Sequence, residues 1–175
     1  MSKIVVMLAN GFEEVEALTV VDYLRRSGLE VIMVSITQDK VVEGAHGIKV
    51  ISDKTIDELK EASFYRGIVI PGGVAGASAL RDDARVIELV QDFNKQNKLV
   101  AAICAGPIVL GKAGILEGKS ATSYPGFGAQ MATAKLKEDI VVKDGNIITS
   151  RGPSTAVYFA LRIVEYLQGE DRSSE

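Results

Sequence analysis

The sequence predicts an α/β fold, a mostly parallel sheet with helices packed on both faces. Three observations carry that expectation. Short, continuous apolar runs at residues 3–9, 29–36, 67–70 and 99–103 read as strands buried on both faces of a sheet. Segments with helical apolar spacing or helix-end signals alternate with them, which favours crossover connections over hairpins. No internal repeat, linker or low-complexity block interrupts the 175 residues, 47% of them hydrophobic and 25% charged. One domain, residues 1–175, is expected, burying roughly 70% of the surface that the unfolded chain exposes.

Taken in order, residues 3–9 form the first strand, ending at Asn10-Gly11. A helix follows: Glu13, Glu14 and Glu16 load its first turn with negative charge, Arg25 and Arg26 sit in its last, and Gly28 stops it. Residues 29–36 make a second strand. Val41-Val42 and residues 48–51 flank Glu43-Gly44-Ala45-His46-Gly47 as a short hairpin, and residues 56–61 read as helical. Residues 67–70 are a strand and Pro71-Gly72-Gly73 a turn; residues 84–96 form a helix with Val86, Leu89, Val90 and Phe93 on one face. Residues 99–103 are the next strand, Cys104-Ala105-Gly106 a tight turn, and Pro107 opens a short helix. Residues 140–142 and 147–149 pair as a hairpin across Asp144-Gly145. Ala156, Phe159, Ala160, Ile163, Val164 and Leu167 mark the cleanest amphipathic helix, and the polar tail from about residue 169 is expected to fray.

Composition excludes several functions. Twenty basic against twenty-three acidic residues give a formal net charge of −3, which disfavours nucleic acid and anionic membrane as partners. The apolar start is too short for a signal peptide, and residues 99–116 are broken by Gly106, Pro107, Gly111 and Lys112, so no membrane span is read and a cytoplasmic location is expected. With one cysteine, Cys104, and one histidine, His46, an intramolecular disulfide is ruled out and a His/Cys zinc site nearly so; no metal is expected.

In parallel α/β sheets, ligands bind beyond the carboxyl ends of the strands, so the loops after Ala9, Ile70 and Ile103 should line one crevice. Cys104 follows a strand and precedes a small-residue turn into a helix, the layout of a nucleophile elbow. Small neighbours permit the sharp turn, and the helix N-terminus is expected to lower the thiol pKa from ~8.5. A buried core cysteine is the competing interpretation of the same position. Pro71-Gly72-Gly73 with Gly76 supplies backbone N–H groups for an oxyanion, or simply a tight turn needing positive φ. The spacing is not that of a dinucleotide-binding loop. Glu13 and Glu14 are read as helix-terminus charges. Glu16 differs, since it shares a face with residue 20 and can reach the crevice. Beside a thiolate, its carboxyl would be raised by burial and like charge and kept protonated to donate a hydrogen bond.

Four segments, Ala101-Ala102-Ile103-Cys104-Ala105-Gly106-Pro107, Val69-Ile70-Pro71-Gly72-Gly73, Gly11-Phe12-Glu13-Glu14-Val15-Glu16 and Thr149-Ser150-Arg151-Gly152-Pro153, together resemble the ThiJ/PfpI superfamily. Within it the chain is most similar to the protein deglycase branch, that of Parkinson disease protein 7, from residue 3 to about 168. The resemblance implies a flavodoxin-like three-layer sandwich, a homodimer and no cofactor. It makes Cys104 the reactive, oxidisable cysteine and Glu16 the acid bonded to its sulfur, and it places the backbone of Gly72, Gly73 and Ala105 around an oxyanion. Tyr124 stands where the branch often has histidine, and Ala105 where the protease-like branch has one, so peptidase activity is not expected and proton transfer falls on Glu16. Tyr124, Arg151 and His46 are candidate substrate contacts, His46 from the hairpin that in the family approaches the dimer partner; a solvated hairpin histidine is the alternative.

The function so implied is a cysteine enzyme that removes reactive 2-oxoaldehydes or early glycation adducts, of glyoxalase or deglycase type. Its partners would be a small aldehyde or a glycated protein. The alternative is a redox-sensing stress protein or chaperone acting through Cys104 sulfinate.

Overall fold

A computed structural model describes residues 3–174. Strand β1 (Lys3–Leu8) lies at the centre, as its uninterrupted burial demands, between β2 (Val31–Ser35) and a strand from later in the chain. Helix α1 (Glu14–Arg26) connects the two, with Glu16, Ala17, Val20, Val21 and Leu24 turned inward at helical spacing. The hairpin of β3 (Val41–Glu43) and β4 (Lys49–Ile51) pairs only with itself, and β5 (Lys54–Thr55) closes one sheet edge beside β2.

The helix expected over 56–61 is a single 3-10 turn, Ile56–Glu58, with a second, Ala62–Phe64, just beyond that range. Glu58 reaches back to the Thr55 N–H (2.7 Å) and caps the first turn, and Leu59 then goes extended, so no α-helical nucleus propagates. Strand β6 (Tyr65–Ile70) leads into α2 (Val74–Asp82), where the sequence suggested only a glycine loop. Gly76 sits inside that helix because its bare Cα faces the Phe12 backbone, which a Cβ would strike.

Helix α3 (Ala84–Lys95), capped by the Asp83 carboxylate on the Arg85 N–H (2.9 Å), precedes β7 (Leu99–Ile103) and the short α4 (Pro107–Lys112). A small parallel pair, β8 (Ser120–Ala121) with β9 (Lys135–Leu136), bridges to the hairpin of β10 (Val141–Asp144) and β11 (Ile147–Ser150). Helix α5 (Ala156–Gln168) follows. Where the tail was expected to fray, α6 (Glu170–Ser174) forms an exposed single turn beside α5, with the Arg172 Nε donating to the Ser27 carbonyl (3.2 Å).

The seven-stranded sheet runs β10-β11-β7-β6-β1-β2-β5, parallel except for β10 at one edge. Alternate residues of each strand serve different cores. Val5, Met7, Ile68, Ile70, Val100 and Ala102 pack against α2, α3 and α4; Ile4, Val6, Leu8, Val69, Ala101 and Ile103 pack against α1 and α5. The result is the expected flavodoxin-like three-layer sandwich. No helix among the described residues is long and apolar enough to cross a membrane.

Candidate active site

The carboxyl ends of β1, β6 and β7 bring three loops together, as the parallel topology requires. Glu13 N–H donates to the Gly72 carbonyl (3.0 Å) and Gly76 N–H to that of Gly11 (3.3 Å), which ties the first loop to the second. Cys104 stands on the third. Its backbone is left-handed, φ 63°, a conformation that costs a non-glycine residue about 1–3 kcal/mol and that surrounding contacts must enforce. They do so on both sides: Cys104 N–H donates to the Ser150 carbonyl on β11, and Tyr124 N–H donates to the Cys104 carbonyl, each at 3.0 Å. Gly106, whose Cβ would strike the Ile70 and Ile103 carbonyls, lets the turn close against β6.

Glu16 reaches this elbow from the first turn of α1 and is fully buried. Its Oε2 accepts the Gly72 N–H at 2.8 Å. Oε1 has no well-aligned hydrogen-bond partner among the described residues, which leaves the Cys104 thiol as the group with which the carboxyl shares a proton. A Cβ on Gly72 would strike both the Glu16 carboxylate and Cys104 Cβ, so only glycine fits between them.

The two groups perturb each other. Burial first, and the Glu13 charge in addition, push the Glu16 carboxyl up to about 7 against the bonds to Cys104 and Gly72. Burial, then the Glu16 charge and its hydrogen bond, push the Cys104 thiol up to about 12. The thiol was expected to be lowered by its helix terminus. The N–H groups of Ala105 and Gly73 pull in that direction, but burial beside an acid outweighs them. The pair therefore loses one proton near neutrality and carries a single negative charge until strongly alkaline pH.

Most of the residues singled out from sequence converge here, with two changes. Gly73, at φ 85°, and Ala105 turn their N–H groups to the sulfur, whereas Gly72, expected to be a third oxyanion donor, spends its N–H on Glu16. Tyr124 lies beside the elbow, half-exposed, its ring against Gly152, and Arg151 follows Ser150 with Nη1 on the Thr122 hydroxyl (3.3 Å). His46 lies apart on the exposed hairpin tip, its Nδ1 3.0 Å from Glu14 Oε2 and 3.4 Å from Glu13 Oε1.

Glu14 is the residue that sequence reasoning missed. Read as a helix-terminus charge, it is buried and accepts the His46 N–H at 2.7 Å and the Ile48 N–H at 3.4 Å as well as bonding the ring nitrogen, pinning the hairpin to α1. Its spacing from Ala17, Val21 and Leu24, on the inward face, was the available signal. Ligating atoms of Glu13, Glu14 and His46 lie within 4.8 Å of one another, but those of Glu14 and His46 are already engaged in holding the hairpin.

A buried acid beside a cysteine on a strained strand-to-helix turn, under a glycine loop, is the arrangement that the four sequence motifs foreshadow. Residues 2–166 match the DJ-1/PfpI family. The chain belongs to that family. Protein dj-1beta of Drosophila melanogaster is 38% identical over 97% of this chain and 91% of its own length. The Parkinson disease protein 7 homolog of Danio rerio is 36% identical over 97% and 92%. Among solved structures, Toxoplasma gondii DJ-1 in an oxidised form superposes with a TM-score of 0.92 at 37% identity, over 99% of this chain and 95% of that one. A DJ-1-type, stress-related protein is the functional class that this membership supports.

Proposed function

We propose that this DJ-1/PfpI protein is a cofactor-independent cysteine enzyme acting on small 2-oxoaldehydes or their early glycation adducts. The carrying observation is the Cys104–Glu16 pair, one negative charge shared between a strained thiol and a carboxyl pushed up to about 7, with the Gly73 and Ala105 N–H groups on the sulfur. In the reactive form the charge sits on sulfur and the proton on Glu16.

The thiolate adds to the aldehyde carbon; an S–C bond forms and the carbonyl electron pair moves to oxygen, beside the Gly73 and Ala105 donors. Glu16, having given its proton to the adduct, takes the hydrogen from that carbon as a proton and returns one to the neighbouring carbon. The electron pair shifts with it and leaves a thioester. Water breaks the S–C bond, releasing a 2-hydroxy acid and restoring the thiol, so that methylglyoxal plus water gives lactate with no external oxidant or reductant. A carboxyl titrating near 7 is suited to both directions of proton transfer at neutral pH. The reaction is expected in a homodimer, as the family resemblance implies.

The test is the conversion of methylglyoxal to lactate by the purified protein and by its Cys104→Ser variant. Loss of at least 100-fold in kcat/KM, roughly what an activated nucleophile contributes, is the expected result; equal rates would remove the proposal. A second reading, redox sensing through Cys104 sulfinate, is favoured by the solved relative described as oxidised. A protonated Glu16 would donate to the sulfinate and the two N–H groups would face its oxygens. Mild peroxide followed by mass spectrometry separates the readings: a sensor stops at sulfinate, and Glu16→Leu removes the stop.

A further inference from the structure

Beside the elbow lies a hollow of about 340 Å³ that the reaction above leaves unused. Tyr124, Arg151, Lys137, Glu138 and Leu136 line it. Two backbone bonds tie this wall to the nucleophile. Tyr124 donates to the Cys104 carbonyl, and Arg151 directly follows Ser150, whose carbonyl accepts the Cys104 N–H.

The charges in the hollow are unspent. Arg25, Arg26, Arg81, Arg85 and Arg162 each form an ion pair, whereas neither Arg151 nor Lys137 makes one among the described residues. Arg151 is half-buried and, among the described residues, held at Nη1 by Thr122 alone, so the rest of its planar fork stays available to a bidentate oxyanion. Two cations against the single carboxylate of Glu138 leave the wall positive on a chain whose net charge is −3. The Tyr124 hydroxyl adds a neutral donor, and Leu136 an apolar side for a carbon chain.

We propose that this hollow is an anion subsite, in which Arg151, assisted by Lys137 and Tyr124, receives a carboxylate or phosphate at the far end of a substrate whose carbonyl meets Cys104. The subsite deepens the carbonyl reading by naming its substrate class: an aldehyde or adduct with an anionic tail is taken ahead of an uncharged one.

Because Cys104 is the sole cysteine, alkylation reports on this site alone. Rate constants for 4-maleimidobutyrate and N-ethylmaleimide are compared on the whole protein, the two reagents differing in the anionic tail. Arg151→Gln is expected to lower the anionic-to-neutral ratio about tenfold, the loss of one charge-assisted hydrogen bond. Arg151→Lys should keep part of the ratio, and the exposed Lys137→Gln, which does not touch the elbow, should lower it about threefold on the same scale. Lys95→Gln on α3 should leave it unchanged. Inorganic phosphate or acetate should slow only the anionic reagent, and whichever acts at lower concentration identifies the tail. An equal ratio in the wild type, Arg151→Gln and Lys137→Gln, or no protection by either anion, overturns the subsite. Alkylation needs no turnover, so inactivity toward methylglyoxal with the ratio intact would count against the enzyme reading and not against the subsite.

Discussion

Glu16 is kept neutral by its position. Burial is the largest influence on it, so the folded protein holds the proton up to about 7 while an unfolded chain releases it near 4.5. The sign follows: the folded state loses stability as pH rises from 4.5 through 7, because ionising the buried acid costs more than ionising it in water. That difference corresponds to about 3 kcal/mol. Urea denaturation at pH 4 and pH 8 should show the wild type losing about 3 kcal/mol relative to Glu16→Gln over this interval; parallel profiles would mean that Glu16 ionises normally. The same variant should abolish the inflection near pH 7 in Cys104 alkylation and bring the thiol down from about 12, since the neighbouring charge is gone while Gly73 and Ala105 still donate. Cys104 and Glu16 were both legible in the sequence, the first from its strand-to-small-turn setting and the second from its helical face. The direction of the thiol shift was not, because it depends first on how deeply the fold buries the sulfur and then on how close a residue 88 positions earlier lies to it.

At the scale of elements, the hairpin of β3 and β4 depends on α1 through Glu14. Burial raises the Glu14 carboxyl, yet the hydrogen bonds from the His46 side chain and from backbone donors outweigh it and hold the group below its ordinary value. Glu14→Ala would remove the acceptor of the His46 and Ile48 N–H groups, and since both residues are exposed and water can replace it, the cost is about 0.5–1.5 kcal/mol for each bond lost. Faster amide hydrogen exchange at both residues, with β1 and β7 unaffected, is the expected signature; unchanged exchange would show that the hairpin holds itself. His46 contributes from the solvent side, its ring raised first by the Glu14 hydrogen bond and then by the Glu13 and Glu14 charges, so the contact strengthens as pH falls. Hairpin and helix were each readable from local pattern, but their contact joins residues 32 apart, beyond any periodicity. Helix α2 escaped for a related reason: Gly73 and Gly76 look like breakers until the Phe12 and Gly11 backbones are seen packed against them.

For the whole molecule, the two cores on either side of the sheet carry the stability. Phe159 of α5 is fully buried against the face that also receives α1. Phe159→Ala should cost about 3–5 kcal/mol in chemical denaturation and slacken the packing of α1, from which Glu16 projects. Methylglyoxal turnover, measured where the variant is still folded, should then fall together with stability. Normal turnover would show that Glu16 is held by its Gly72 bond alone.

The α/β layering, most of the alternation of strands and helices and the position of the elbow followed from local pattern, since buried runs, capping signals and small-residue turns act over a few residues at a time. The single cysteine and the acidic first turn were visible for the same reason. Folding was needed to sort three glutamates within four residues, Glu16 to the sulfur, Glu14 to the hairpin and Glu13 to the rim, and to assign the Gly72 N–H to the acid and not to the oxyanion. It also brought Tyr124, Lys137 and Arg151 around one hollow. Those outcomes rest on distances between segments far apart in the chain, and the energies of burial and charge that shift the Glu16 and Cys104 protons are set by those distances.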